Sequence, residues 1–259
     1  MIDLLLDIGN TRVKLGLVED KDYEYLGAYS TQNFLNEDTL LSFLTDLDFK
    51  PDHIYVSSVA DEHIEMLFRQ AIAVKWGLMP VFMSTQLSCC NITNGYQLPF
   101  KLGVDRWLSL LGARTFTETD FIVIDAGTAI TVDSVINGAH QGGFIVPGLS
   151  TLRRSLSQNT ALLNDDCASI EPSSKATQLD QLMPSDTQSA ICGGTLYMAS
   201  AFVNTLVVDL LSQSQSLPNI YFTGGDGALL SSLLTAESEY IEDLILLGIV
   251  NVKENIKKS

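Results

Sequence analysis

The feature that most limits what this chain can fold into is an internal repeat. An apolar run over residues 2–6 ends in Asp7-Ile8-Gly9-Asn10-Thr11, and a second over 121–124 ends in Asp125-Ala126-Gly127-Thr128. After the first, Val13, Leu15 and Leu17 alternate with polar residues such as Arg12 and Lys14; after the second, residues 130–135 resume an apolar segment. An apolar run bounded by Asp and Gly reads as a buried strand entering a tight turn, and a period of two reads as the strand that leaves it. Both copies therefore read strand, acidic turn, strand. Duplication of this kind constrains the whole fold, because each half repeats one arrangement.

The remaining pattern fits two such halves, 1–115 and 116–259, joined near 114–119. In the first, residues 23–29 read as a third strand, and 37–47 as a helix with Leu40, Leu41, Leu44 and Leu47 on one face. A strand at 53–57, a helix at 62–76 and a strand at 80–83 follow. A polar loop from 84 to 102 then leads to a helix over 104–116. In the second half, strands are expected at 130–135, 143–146 and 219–222, and helices at 148–163 and 186–211. Helices close the chain, and the Ser-, Pro- and Asp-rich stretch 165–185 reads as a mobile surface excursion.

Composition excludes several classes. The 259 residues are 46% hydrophobic and 18% charged, which suits a packed core and not a disordered chain. A net charge of −16 repels nucleic-acid backbones, so no nucleic-acid partner is expected, and an ATP site would need local donors and cations. Cys89, Cys90, Cys167 and Cys192 include no CxxC pair and read as reduced thiols. His53, His63 and His140 lack metal-ligand spacing. The N-terminus carries Asp3 and Asp7 inside its apolar run and no basic lead, unlike a signal peptide, and no uninterrupted apolar stretch approaches the roughly 20 residues of a membrane span. A cytoplasmic protein with no membrane partner is the expectation.

Four segments carry chemistry. Asp7, Ile8, Gly9, Asn10, Thr11, Arg12, Val13 and Lys14 offer backbone N–H groups and hydroxyls to a phosphate, with a carboxylate that can hold Mg²⁺ through water. A hairpin turn without ligand explains the same residues. Asp125 to Asp133 repeats the pattern, and two such turns clamp a polyphosphate more readily than one. Thr223-Gly224-Gly225-Asp226-Gly227 ends a strand with glycines that admit a base or ribose, or that merely turn. It lacks GxGxxG spacing, and the chain has no GxxxxGK[ST]. In Tyr96-Gln97-Leu98-Pro99-Phe100-Lys101-Leu102-Gly103-Val104-Asp105-Arg106-Trp107, Asp105 opens a helix, where it complements the dipole. With Arg106 beside it, a carboxylate that takes a hydroxyl proton and a guanidinium that steers an anion are equally in reach.

These segments, in this order, resemble the type III pantothenate kinases of the actin-like superfamily. The matches are DIGNT from Asp7, Y-x-x-P-x-x-L-G-x-D-R-W from Tyr96, DAGTAIT-x-D from Asp125, GGFIVPG from Gly142 and TGGDG from Thr223. The Tyr96 string is the most specific, since other actin-like ATPases lack it. The resemblance implies an α/β, duplicated actin-like (ribonuclease H-like) fold, with mixed five-stranded sheets flanked by helices and a nucleotide cleft between the halves. It implies ATP-dependent phosphorylation of pantothenate, the first step of coenzyme A biosynthesis. Asp105 resembles the general base; Tyr96, Gly103, Val104, Asp105 and Arg106 the pantothenate pocket; Asp7 to Lys14 and Thr128 the ATP contacts, with Asp7 near Mg²⁺. Asp125 is similar to the family's ligand for a monovalent cation, K⁺ or NH₄⁺. Thr187 matches a substrate-binding Thr contributed across a homodimer interface. Another actin-like sugar or acetate kinase, a polymerising filament, and a non-catalytic regulatory or accessory protein of the same fold are the competing readings.

Overall fold

The computed structural model describes residues 1–34, 36–159, 183–213 and 217–258. Cys167, the predicted helix end at 160–163 and most of the 165–185 stretch lie outside the described residues. The chain divides into two compact units: Met1–Glu118 with Gly138–His140 and Asp243–Ser259, and Thr119–Asn137 with Gln141–Glu242.

In the first unit, β1 (Ile2–Ile8), β2 (Arg12–Glu19), β3 (Asp22–Ser30), β4 (His53–Ser58) and β5 (Val81–Phe82) form a sheet of order β3-β2-β1-β4-β5. The hairpins β1–β2 and β2–β3 are antiparallel, and β1–β4 and β4–β5 are parallel. Alternation along β1 divides its side chains: Leu4, Leu6 and Ile8 join the core with α1 (Glu37–Asp46) and α2 (Glu62–Trp76). The α1 start is set by Asn36, which accepts the Thr39 N–H at 2.9 Å, and the α2 start by Asp61, which accepts that of Ile64 at 3.0 Å. Gly77, at φ +68°, ends α2 and donates its N–H to the Ala73 carbonyl.

Beyond β5, the stretch expected to be loop holds a two-strand ribbon, β6 (Ser88–Cys89) with β7 (Ile92–Thr93), and a 3₁₀ turn at Pro99–Lys101. The next helix, α3, is Val104–Ala113 and stops short of the predicted 116: Arg114 still donates to the Leu110 carbonyl, but Thr115 and Phe116 donate to Gly112 and Ala113, so the i→i−4 ladder gives way to i→i−3 bonds. The last helix, α7 (Leu244–Lys258), belongs to this unit and packs along α3 and against β1, β2 and β4. Glycines make that crossing possible. A Cβ at Gly112 would stand 2.0 Å from the Leu244 carbonyl oxygen, and one at Gly248 2.0 Å from that of Leu108.

The second unit repeats the plan. Strands β8 (Phe121–Ala126), β9 (Ala129–Ile136), β10 (Ala139–Pro147), β11 (Asn219–Thr223) and β12 (Glu239–Tyr240) run in the order β12-β11-β8-β9-β10. With β8 in place of β1, this is the order of the first sheet. The ladder counts seven strands where five were expected, because Ala139, at the start of β10 and within the first unit, pairs with Thr93 of the small β6–β7 ribbon. Helices α4 (Leu149–Asn159), α5 (Thr187–Gln213) and α6 (Gly227–Ser232) complete the unit. Leu149, Leu196, Val203, Val207 and Leu230 meet Ile122, Ile124, Ile220 and Phe222 in its core. α5 is long and apolar enough over Thr187–Ser212 to cross a membrane, by length and composition. One such helix is weak evidence for a span, and the face bearing Leu196, Ala199, Val203 and Val207 packs in this core.

Candidate active site

The β1–β2 hairpin closes as the sequence implies. Gly9 N–H donates to the Arg12 carbonyl at 2.9 Å, and the Thr31 hydroxyl donates to the Gly9 carbonyl at 2.9 Å, which ties the turn to the end of β3. Asn10, Thr11 and Arg12 are exposed at its tip, while Ile8 and Val13 are buried behind it. Asp7 and Lys14 stand opposite each other in the ladder, both nearly buried, so a carboxylate and an ammonium share one face of the sheet. Ser57, fully buried, is the β4 neighbour of Asp7, and among the described residues its hydroxyl has no hydrogen-bond partner.

The Tyr96–Trp107 string is organised by a residue that sequence reasoning missed. Asn94 is buried just ahead of it. Its Nδ2 donates to the carbonyls of Gln86 and Pro99, both at 3.2 Å, and its Oδ1 accepts the Tyr96 N–H at 3.0 Å. Thr85 adds a hydroxyl bond to the Leu102 carbonyl at 2.9 Å. The loop is thus pinned at both ends. Arg106 is buried in the first turn of α3, and its Nη1 donates to the Tyr96 hydroxyl at 2.6 Å. His140 stacks on the far ring of this group, with centroids 5.8 Å from Tyr96 at 14°. Neither Asn94 nor His140 carries a spacing signal, and each is reached only through the fold.

Asp105 lies at the start of α3, where four N–H groups lack helical partners and the dipole favours an anion. Its Oδ1 accepts the Arg106 N–H at 2.8 Å. The carboxylate folds back so closely that a Cβ on Gly103 would come within 2.6 Å of it. Gly103 is therefore required for the Asp105 rotamer. Val104 sits half-buried between them.

In the second unit, Asp125, Gly148 and Gly224 converge. The β8–β9 turn is one residue shorter than its counterpart: Ala126 pairs with Ile130, whereas Ile8 pairs with Val13. Gly127 N–H closes it on the Ala129 carbonyl at 2.9 Å. The start of α4 rests on this turn: the Thr128 carbonyl accepts from the Gly148 N–H at 3.0 Å and from the Thr151 hydroxyl at 2.7 Å. Gly224, at φ +86°, approaches from the end of β11. A Cβ there would meet Asp125 Oδ1 at 2.4 Å and the Ala126 carbonyl at 2.5 Å. So TGGDG is not an isolated turn; it is folded onto the acidic hairpin, leaving a carboxylate and a carbonyl oxygen in one corner.

Thr187 is exposed in the first turn of α5. The helix is capped by Asp186, whose carboxylate accepts the Ser189 N–H at 2.8 Å. That bond, first among its causes, holds the Asp186 carboxyl below its ordinary value.

Two units of one strand order, each with an acidic turn at the end of its central strand, define the actin-like ATPase and sugar kinase class. A solved glucokinase from an Antarctic psychrotroph shares the fold, at a TM-score of 0.50 and 10% identity over 98% of this chain and 99% of that one. The chain belongs to the type III pantothenate kinase family, whose pattern matches residues 3–209. The type III pantothenate kinase of Hydrogenovibrio crunogenus is 36% identical over 253 residues, covering 98% of this chain and 99% of that protein. A solved Campylobacter jejuni protein, described as of the Baf family of transcriptional activators, is 28% identical, with a TM-score of 0.56 and 98% coverage of both chains.

Proposed function

We propose that this chain transfers the γ-phosphoryl group of ATP to the hydroxyl of pantothenate, yielding 4′-phosphopantothenate at the first step of coenzyme A biosynthesis in the cytoplasm. The observation that carries the reading is the first turn of α3. Asp105 is held at a helix N-terminus beside a buried Arg106 that is already oriented by Tyr96. In this reading Tyr96, Gly103, Val104 and Arg106 receive pantothenate, whose carboxylate suits a guanidinium. Asp105 accepts the hydroxyl proton as the oxygen attacks phosphorus.

Phosphoryl transfer leans on placement and charge more than on covalent chemistry. The Asp7–Lys14 turn and Thr128 supply N–H, hydroxyl and ammonium donors for phosphate oxygens. Among the described residues no group of three or more His, Cys, Asp or Glu side chains gathers to bind a metal. That suits Mg²⁺, which takes one or two carboxylates and fills its octahedron with phosphate and water; Asp7 is the residue to hold it, and the ion supplies charge neutralisation. The oxygen-rich corner of Asp125 and Ala126 suits K⁺ or NH₄⁺. α5 exposes Tyr197, Met198 and Val208 on its outer side, an apolar strip suited to a second copy of the chain, which brings Thr187 into a homodimer.

A non-catalytic accessory role is the second reading, favoured by the description of the Campylobacter jejuni relative. The net charge of −16 argues against direct DNA contact. The test is purified protein with ATP and Mg²⁺, scored for phosphorylated pantothenate against a panel of sugars, in K⁺ and in Na⁺ at equal ionic strength. The expected results are pantothenate turnover that is several-fold higher in K⁺, and a loss of about 10²–10⁴ in kcat for Asp105→Asn. A folded protein with no turnover removes the kinase reading, and near-normal turnover in Asp105→Asn removes that residue from the role of base.

A further inference from the structure

The four cysteines play no part in the proposed reaction, yet two of them are placed together. Cys89 ends β6, and Cys90 and Asn91 form the tip of the β6–β7 ribbon, with Cys89 paired to Ile92. Both tip residues are left-handed, at φ +50° and +60°, as a two-residue hairpin turn requires. The result is a vicinal dithiol with its sulfurs 3.3 Å apart. Cys89 is half-buried and Cys90 buried, so the first is the point of entry. Asn255 of α7 donates to Cys90 Sγ at 3.3 Å, which fixes the second sulfur from behind.

We propose that Cys89 and Cys90 form a chelating site for trivalent arsenicals, and that occupation of this site acts on the Tyr96 pocket. Two bonds of about 2.3 Å, the length of a zinc–thiolate bond, span a 3.3 Å separation at an angle of about 90°. A tetrahedral metal prefers a wider bite, and no third His, Cys, Asp or Glu gathers here among the described residues. A trivalent arsenical is pyramidal, binds sulfur at a narrow angle, and brings its own third substituent. The chemistry balances without an oxidant. In R–As=O plus two thiols, two As–S bonds form, the arsenic–oxygen bond breaks, both thiol protons leave with that oxygen as water, and arsenic stays trivalent.

Oxidation of the pair is less well served. Disulfide exchange and peroxide attack need a thiolate. The hydrogen bond to Cys90, together with burial, pushes the Cys89 thiol above its ordinary range. The sulfurs would also have to close from 3.3 Å to about 2.05 Å inside a turn.

The second step follows from the chain. The ribbon's β7 ends at Thr93, next to Asn94, whose amide holds the Tyr96 loop at Gln86, Tyr96 and Pro99. Thr93 also donates to the Gly138 carbonyl at 2.9 Å and pairs with Ala139, beside the His140 that stacks on Tyr96. A bridged tip that moves β7 therefore moves both supports of Tyr96. This step rests on the pantothenate reading; the chelation step does not.

The probe is phenylarsine oxide, one equivalent, on the full-length protein, read by intact mass spectrometry. One adduct is expected, reversed by 2,3-dimercaptopropanol and not by an equal concentration of a monothiol. Cys89→Ser and Cys90→Ser should each lose it while keeping a wild-type circular dichroism spectrum, and Cys167→Ser and Cys192→Ser should keep it. No adduct on wild type, under conditions where a Cys-Cys peptide is modified, overturns the site, and so does an adduct that survives in either Cys89→Ser or Cys90→Ser. On the modified enzyme the KM for pantothenate should rise several-fold with kcat within about twofold. Formation of the adduct with KM unchanged overturns the coupling to Tyr96. A protein that binds the arsenical but has no pantothenate kinase activity overturns the functional reading and leaves the chelation step standing.

Discussion

The Arg106 guanidinium donates to the Tyr96 hydroxyl at 2.6 Å and lies 5.5 Å from the centre of the same ring. One side chain thus orients another by a directed bond and by a cation–π contact. Tyr96→Phe keeps the ring and removes only the acceptor. A buried charged donor left short of a partner costs about 1–3 kcal/mol. The expected outcome is a pantothenate KM raised about tenfold, equivalent to about 1.4 kcal/mol, with kcat within a few-fold. Steady-state kinetics on the two proteins check it, and an unchanged KM removes Tyr96 from the pocket.

Gly224 gives a prediction that separates backbone strain from crowding. Gly224 and Gly142 both hold positive φ, at +86° and +99°. Only at Gly224 does a Cβ collide, with Asp125 Oδ1 and the Ala126 carbonyl; around Gly142 nothing lies within 4 Å. Gly142→Ala carries the conformational cost alone, of order 1–3 kcal/mol. Gly224→Ala must also displace the acidic turn. The Gly224 variant is expected to melt several degrees below the Gly142 variant and to lose most ATP-dependent turnover. Thermal unfolding and kinase assays on the pair decide it, and equal melting temperatures would show that the turn yields freely.

Much of this was legible because it is local or repeated. The β1–β2 and β8–β9 turns announced themselves by Asp and Gly after apolar runs, and α2 was read at its observed bounds, 62–76. The parts that were missed depend on contacts distant in sequence. Strand β12 has two residues and no period to detect. α7 reads as a closing helix, but its seat on α3 depends on Gly112 and Gly248, which lie far apart in the chain. Asn94 and His140 are a lone amide and a lone imidazole until the fold brings them to Tyr96. The acidic turns differ by one residue, a detail that the pairing register shows and the motif strings hide.

The α5 strip predicts an association state. Tyr197, Met198 and Val208 are 68%, 51% and 62% exposed on a helix whose other side is core. In the proposed homodimer these side chains would form the contact surface. A two-fold contact would use the same strip on both copies. Sedimentation should give a dimer for the wild type and a shift toward monomer for Tyr197→Glu, Met198→Glu. If Thr187 serves the partner's site, mixing Asp105→Asn subunits with Thr187→Trp subunits under exchange should restore part of the activity. A fully active wild-type monomer would rule out the interface.

A charge pair staples the last helix to the first strand. Asp3 on β1 accepts a hydrogen bond from Lys253 Nζ on α7, both nearly buried, and its other oxygen lies 3.0 Å from His53 Nδ1. Burial pushes the Asp3 carboxyl upward, but the bonds to Lys253 and His53 outweigh it, and the net displacement is below its ordinary value. The sign then follows. A carboxyl whose folded-state value lies below the unfolded one, about 3.9, contributes stability that is complete above about pH 4 and lost as pH falls through the folded value. Removing Lys253 reverses the sign. In Lys253→Met the carboxylate stays buried without its main partner, which costs about 3–5 kcal/mol at neutral pH. Burial then dominates, the folded-state value rises above the unfolded one, and protonation relieves the penalty. Urea unfolding between pH 7 and pH 3 checks this. Wild type should lose stability only at the acid end, whereas the difference between wild type and Lys253→Met should narrow as pH falls toward 4. A difference constant across that range would mean that Lys253 contributes through its methylene packing and not through the charge on Asp3.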